Sequence, residues 1–150
     1  MSTSTKAAFS LVELLVVLSL LVLITVIVVT GFQNYARYQE YDQAVAGVSA
    51  VLNDARTQAR ASELGQAHGV KISAGSVTTF VGTIYSAGDT KNVTSAFNNV
   101  TITPALSGGV TSIVFNSLTG IPTATGTLTI VGKGHTATTT ITISNTGVIQ

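Results

Sequence analysis

The sequence predicts an α+β chain: a long N-terminal helix, apolar in its first half and amphipathic in its second, packed on a C-terminal antiparallel β-sheet head. Three observations predict this. An almost unbroken apolar run fills residues 14–32. A stripe of apolar residues at three- and four-residue steps follows it, and no proline occurs before Pro104. From Val70 onward the pattern changes to short alternating segments rich in Thr, Val, Ser and Gly. Strands without intervening helices favour an antiparallel sheet, and the helical stripe can cover one of its faces.

The 150 residues suffice for one domain of ordinary size. Charged residues make up 9% of the chain and the formal net charge is +1, with no basic or acidic tail, so bulk charge points to no polyanionic partner. Cysteine is absent, which excludes a disulfide framework and thiolate metal ligands.

The apolar run opens with Leu14, Leu15, Val16, Val17 and Leu18. It continues through Leu20, Leu21, Val22, Leu23 and Ile24, then Val26, Ile27, Val28 and Val29. Ser19, Thr25 and Thr30 are its polar interruptions, and a hydroxyl in a helix can bond back to a carbonyl one turn earlier. No charge lies between Glu13 and Arg37. About 20 residues at 1.5 Å each cross a hydrocarbon core of roughly 30 Å, so the run reads as a transmembrane helix. A cleaved secretory signal fits poorly. Its apolar region is about 7–15 residues with a small-x-small site close behind. Here the nearest such pattern, Ala44-Val45-Ala46, lies well past the end of the run.

The flank before the run is a short polar leader with Lys6 and two alanines, then Phe9-Ser10-Leu11-Val12-Glu13. An ionisable side chain in such a segment costs about 2.5–3.5 kcal/mol at a helix centre and less near its end. Glu13 is therefore either a functional group with a partner or the marker of the water boundary.

The string from Ala8 to Val17, AFSLVELLVV, resembles the class III signal of type IV prepilins and type II secretion pseudopilins. The resemblance implies that a membrane aspartyl peptidase cuts between Ala8 and Phe9 and methylates the new amine of Phe9, leaving Glu13 as the fifth mature residue. The family usually has Gly before the cut, where this chain has Ala8. The implied divisions are a leader at 1–8, a transmembrane and assembly helix at 9–36, an amphipathic helix at 37–64 and a β-sheet head at 65–150. Cutting creates a cationic amine at a helix N-terminus, where the helix dipole disfavours positive charge. A buried amine without a counter-ion is costly. Glu13 can supply that counter-ion within its own chain or to a neighbour, and the resemblance implies the neighbour.

Tyr41, Ala44, Val45, Val48, Val51, Leu52, Ala55 and Ala59 form the amphipathic stripe, with Arg37, Glu40, Asp42, Asn53, Asp54, Arg56 and Arg60 on other faces. The helix is expected to stop near Gly65. Strands are expected at Val70–Ser73, Val77–Tyr85, Val100–Thr103, Thr111–Phe115, Thr127–Val131 and Thr139–Ser144. The turn Asn145-Thr146-Gly147 would let Val148–Gln150 pair back as a short final strand. The segment from Leu52 to Arg60, the strand after His68, and the final Ile141-to-Ile149 pattern are similar to the H-type pseudopilins and related minor pilins.

Catalysis is poorly provided for. Asp89 is the only carboxylate side chain after Glu63, and His68 and His135 are isolated in sequence. No metal site and no cofactor are expected, and no catalytic residue is assigned. Only Lys71, Lys91 and Lys133 carry positive charge after Arg60, too sparse a set to predict DNA binding. The expected role is a structural subunit, a minor pilin or pseudopilin, of a type IV pilus or a type II secretion pseudopilus. Its implied partners are prepilin peptidase, other pilins or pseudopilins in a hetero-oligomeric filament, and membrane lipid. The leader would be cytoplasmic and the head outside, with Lys6 and the amine before the span giving a small charge bias in that sense. The alternative is a single-pass, membrane-anchored surface binding module that does not assemble.

Overall fold

The computed structural model describes residues 10–134 and 136–150. One helix, α1 (Leu11–Arg60), is followed by a short 3-10 turn at Glu63–Gly65 and seven strands. These are β1 (His68–Ser73), β2 (Ser76–Val81), β3 (Val93–Ala96), β4 (Val100–Leu106), β5 (Ser112–Phe115), β6 (Gly126–Gly132) and β7 (Thr138–Ile143). The chain divides into two compact units, the first ending at Tyr38 and the second spanning Gln39–Gln150.

Within the second unit the stripe behaves as its periodicity demands. Tyr41, Ala44, Val48, Leu52, Ala55 and Ala59 are buried, and Val45 and Val51 pack at the margin. Strands throughout the head share this core. From β1 and β2 come Val70, Ile72 and Val77; from β5, Ile113 and Phe115; from β4, β6 and β7, residues such as Ile102, Leu128, Ile130 and Ile141. The Tyr41 hydroxyl reaches the Thr139 hydroxyl at 2.7 Å, which ties the first turn of this helical stretch to β7.

The sequence suggested one sheet, and the head has two. All pairings are antiparallel, in the orders β3-β2-β1-β5 and β4-β6-β7. The split comes from a corner at the β1–β2 turn. There the Ala74 carbonyl accepts the Ile102 N–H and the Gly75 carbonyl accepts the Phe97 N–H, both at 2.8 Å. The first bond brings β4 to the tip of the first hairpin rather than alongside it, and the second extends the β2–β3 pairing by one residue. Pro104 lies two residues beyond Ile102 on the same outer edge, so its missing N–H deprives the β4–β6 ladder of no bond.

Helix α1 ends at Arg60, several residues before the expected stop. Ser62 and Leu64 both take positive φ, 52° and 55°. The Leu118 N–H donates to the Ala59 carbonyl at 2.8 Å, so a distant turn satisfies a helix-terminal acceptor that a longer helix would have used itself. Expected Val77–Tyr85 stops at Val81, because Gly82 leaves the strand with φ 105°. Strand β3 was not expected at all. The final pairing is present: Thr142 and Gln150 exchange N–H···O bonds of 2.7 and 3.1 Å, and Ile143 bridges to Ile149.

Candidate functional site

The first unit presents the chemistry singled out in the sequence. Leu11 to Val29 lie in one uninterrupted α-helix, and the large apolar side chains from Leu14 to Val29 are each between 48% and 63% exposed. Contiguous apolar surfaces beyond a few hundred Å² mark membranes or partner proteins. This helix is the candidate functional site, and by length and composition it can cross a membrane.

Two of its polar interruptions, Ser19 and Thr25, are satisfied internally. The Ser19 hydroxyl donates to the Val16 carbonyl at 2.8 Å, and the Thr25 hydroxyl donates to the Leu21 carbonyl at 2.7 Å. In an apolar surrounding an unpaired hydroxyl is costly, so both groups are already suited to one. Glu13 sits in the first helical turn and is exposed. A carboxylate there complements the positive end of the helix dipole. The Leu14 N–H donates to the Ser10 carbonyl at 3.1 Å, which extends the helical bonding to the serine of the signal-like string. Ala8 and Phe9 lie outside the described residues, and so does His135.

Two further features lie outside the residues singled out in the sequence. Phe32, Tyr35 and Tyr38 follow the apolar run at three-residue spacing and are 71%, 62% and 51% exposed. That spacing was visible and could have been read. The second feature was not visible: Arg56 donates from Nη2 to the Thr146 carbonyl at 2.9 Å and so holds the last turn of the head against α1. Gly147, at φ 78°, stands where a Cβ would lie 2.7 Å from the Gly120 carbonyl and 2.8 Å from Arg56 Nε.

Small cavities open on the head among the described residues. One, of about 220 Å³, is lined in part by Glu63, His68, Phe80 and Lys91. His68 is buried, and its Nε2 lies 3.0 Å from the Glu63 carbonyl. A carbonyl only accepts, so Nε2 carries the proton and the imidazole serves as a structural donor. Another, of about 310 Å³, lies by Glu40, Gln43 and Phe97. Among the described residues no group of three or more His, Cys, Asp or Glu side chains is placed to hold a metal ion.

No protein-family model matches the chain, and no curated protein sequence does. Solved structures do match. A crystal structure of the type IV minor pilin FimU of Pseudomonas aeruginosa strain PAO1 superposes with a TM-score of 0.56 at 19% identity, over 73% of this chain and 90% of that one. A second crystal form of FimU gives 0.58 at 19% identity, over 77% and 90%. Together with the long helix packed on antiparallel sheets, this shows that the chain has a type IV pilin-like fold.

Proposed function

We propose that the chain is a structural subunit, and not an enzyme, of a pilus or of a secretion pseudopilus, held in the membrane and assembled through its N-terminal helix. The observation that carries the reading is the helix from Leu11 to Val29, apolar and open to its surroundings on every side, with the single carboxylate of Glu13 in its first turn. A water-soluble domain has no use for such a surface, whereas lipid before assembly and neighbouring helices after it both bury it. The pilin-like fold supports the same role.

In this proposal the divisions are a leader at 1–8, an assembly helix at 9–36, its amphipathic continuation at 37–64 and a head at 65–150. Prepilin peptidase cuts between Ala8 and Phe9 and methylates Phe9. The leader faces the cytoplasm and the head lies outside. Glu13 is the counter-ion for the Phe9 amine of a neighbouring pilin in the filament. Mass spectrometry of membrane-extracted protein tests the processing step. A methylated Phe9 terminus is expected. An intact Met1 or Ser2 terminus, in cells with an active peptidase, would overturn it.

A further inference from the structure

The helix changes chemistry where the apolar run ends. After Gly31 come Phe32, Tyr35 and Tyr38, separated by exposed Gln33, Asn34 and Arg37. Residues three apart on an α-helix turn by about 300°, so the trio lies within an arc of roughly 120° and rises about 9 Å from first to last. All three rings are more than half exposed.

Length decides where this arc would lie. From Leu14 to Gly31 an α-helix rises about 27 Å, close to the roughly 30 Å of a bilayer's hydrocarbon core. With Glu13 at one boundary, Phe32 falls at the other. The next 9 Å then pass through the interfacial layer, which is about 5–7 Å thick on each side. Side chains with an apolar body and a polar tip are stable there, because the ring meets acyl carbon while the hydroxyl meets headgroup and water. The order fits: the fully apolar Phe32 comes first, the two tyrosines follow, and Arg37 stands among them at the level of lipid phosphate.

We infer that Phe32, Tyr35 and Tyr38 form an interfacial belt that docks on the lipid headgroup layer and fixes the depth of the unassembled subunit in the membrane. The inference rests on the membrane-spanning reading proposed above and adds the group that sets the register of the span. The occupant of the arc is lipid, because the arc is continuous with the apolar run and begins where a hydrocarbon core would end.

The chain contains no cysteine, so single cysteines can carry nitroxide labels without background. The full chain, reconstituted in phosphatidylcholine and phosphatidylglycerol vesicles, is labelled at Leu23→Cys or at Asn34→Cys, and depth is read from collisions with oxygen and with an aqueous nickel chelate. The Leu23 label is expected near the midplane and the Asn34 label at the headgroups. Adding Phe32→Ala, Tyr35→Ala and Tyr38→Ala together is expected to shift the Asn34 label by about a helical turn, ~5 Å. All three substitutions fall on exposed positions and keep a good helix former. A deep Leu23 label with an Asn34 depth indifferent to the three alanines would overturn the belt and leave the span standing. A Leu23 label exposed to the aqueous chelate would overturn the span itself. Spin–spin broadening at Asn34 that depends on protein density and vanishes with the alanines, without a depth change, would assign the arc to a second copy of the chain and overturn the lipid assignment.

Discussion

Two stretches of one helix obey opposite rules. From Leu14 to Val29 the large apolar side chains are about half exposed or more. From Tyr41 to Ala59 the apolar residues follow one stripe, and Val48, Leu52, Ala55 and Ala59 are fully buried. Burying a Val or Leu side chain is favourable by about 1.5–3 kcal/mol, and the second stretch realises that gain inside its own chain. The first leaves its apolar surface uncovered by the described residues. Uninterrupted hydrophobicity and amphipathic hydrophobicity are thus separate signals: one marks what the chain needs from outside, the other what it builds for itself.

Substitutions can break this comparison, and the largest effect is expected at Glu13. Glu13→Gln keeps size and polarity but removes the charge. If Glu13 pairs with a neighbour's amine in a filament, losing it lowers incorporation on the order of a hundred-fold or more, since breaking a buried ion pair is strongly unfavourable and each ~1.4 kcal/mol is tenfold. The proposed insertion and leader cleavage are expected to survive. The filament-to-membrane ratio at matched expression reads the effect, and equal ratios for the two proteins would leave Glu13 as a boundary residue.

Next comes a matched pair. Leu52→Ala removes a fully buried side chain and is expected to destabilise the head by about 2–5 kcal/mol. Leu21→Ala makes the same chemical change at a site 59% exposed and is expected to leave head unfolding unmoved. Thermal melts of the detergent-solubilised chain, followed by the β-sheet circular dichroism signal, compare them. Similar losses would mean that the two stretches do not differ as described.

Smaller is Gly147→Ala, which places a Cβ against the Gly120 carbonyl at a residue with φ 78°. Left-handed strain of about 1–2 kcal/mol adds to the crowding, so a loss of about 2–3 kcal/mol is expected in the same melt. Smallest is Tyr41→Phe. It deletes the hydroxyl contact to Thr139 at the start of the buried stretch, for a loss of about 1 kcal/mol. A Tyr41→Phe melt indistinguishable from that of the unaltered chain would show that this bond contributes nothing net.

The stripe was legible because a repeat of 3.6 residues over five turns cannot arise from a strand. The apolar run was legible for a like reason, since it is continuous in sequence. β3 was not. Val93-Thr94-Ser95-Ala96 is too short to show alternation, and it forms because β2 offers it an edge. Nor was the end of α1, where Ser62 takes positive φ and the Ala59 carbonyl accepts from both Ser62 and Leu118, a residue remote in sequence. The division into two sheets hinges on the Ala74 carbonyl at a hairpin tip, and no local pattern encodes that choice. Of the candidate site, the uninterrupted apolar helix and the place of Glu13 in its first turn could be read directly. The aromatic arc was equally readable, but it gains meaning only beside the length of the helical run.

The strand order of the head has a consequence for cooperativity. β4 belongs to one sheet, β5 to the other, and β6 to the first again, so the chain crosses between sheets three times after leaving β3. No single cut can separate the sheets into independent lobes, and neither can be completed before residues from the other have been placed. Amide hydrogens at the centres of both sheets are therefore expected to become exchangeable in one global opening rather than in two, and a protease that nicks one loop gains no stable half-domain.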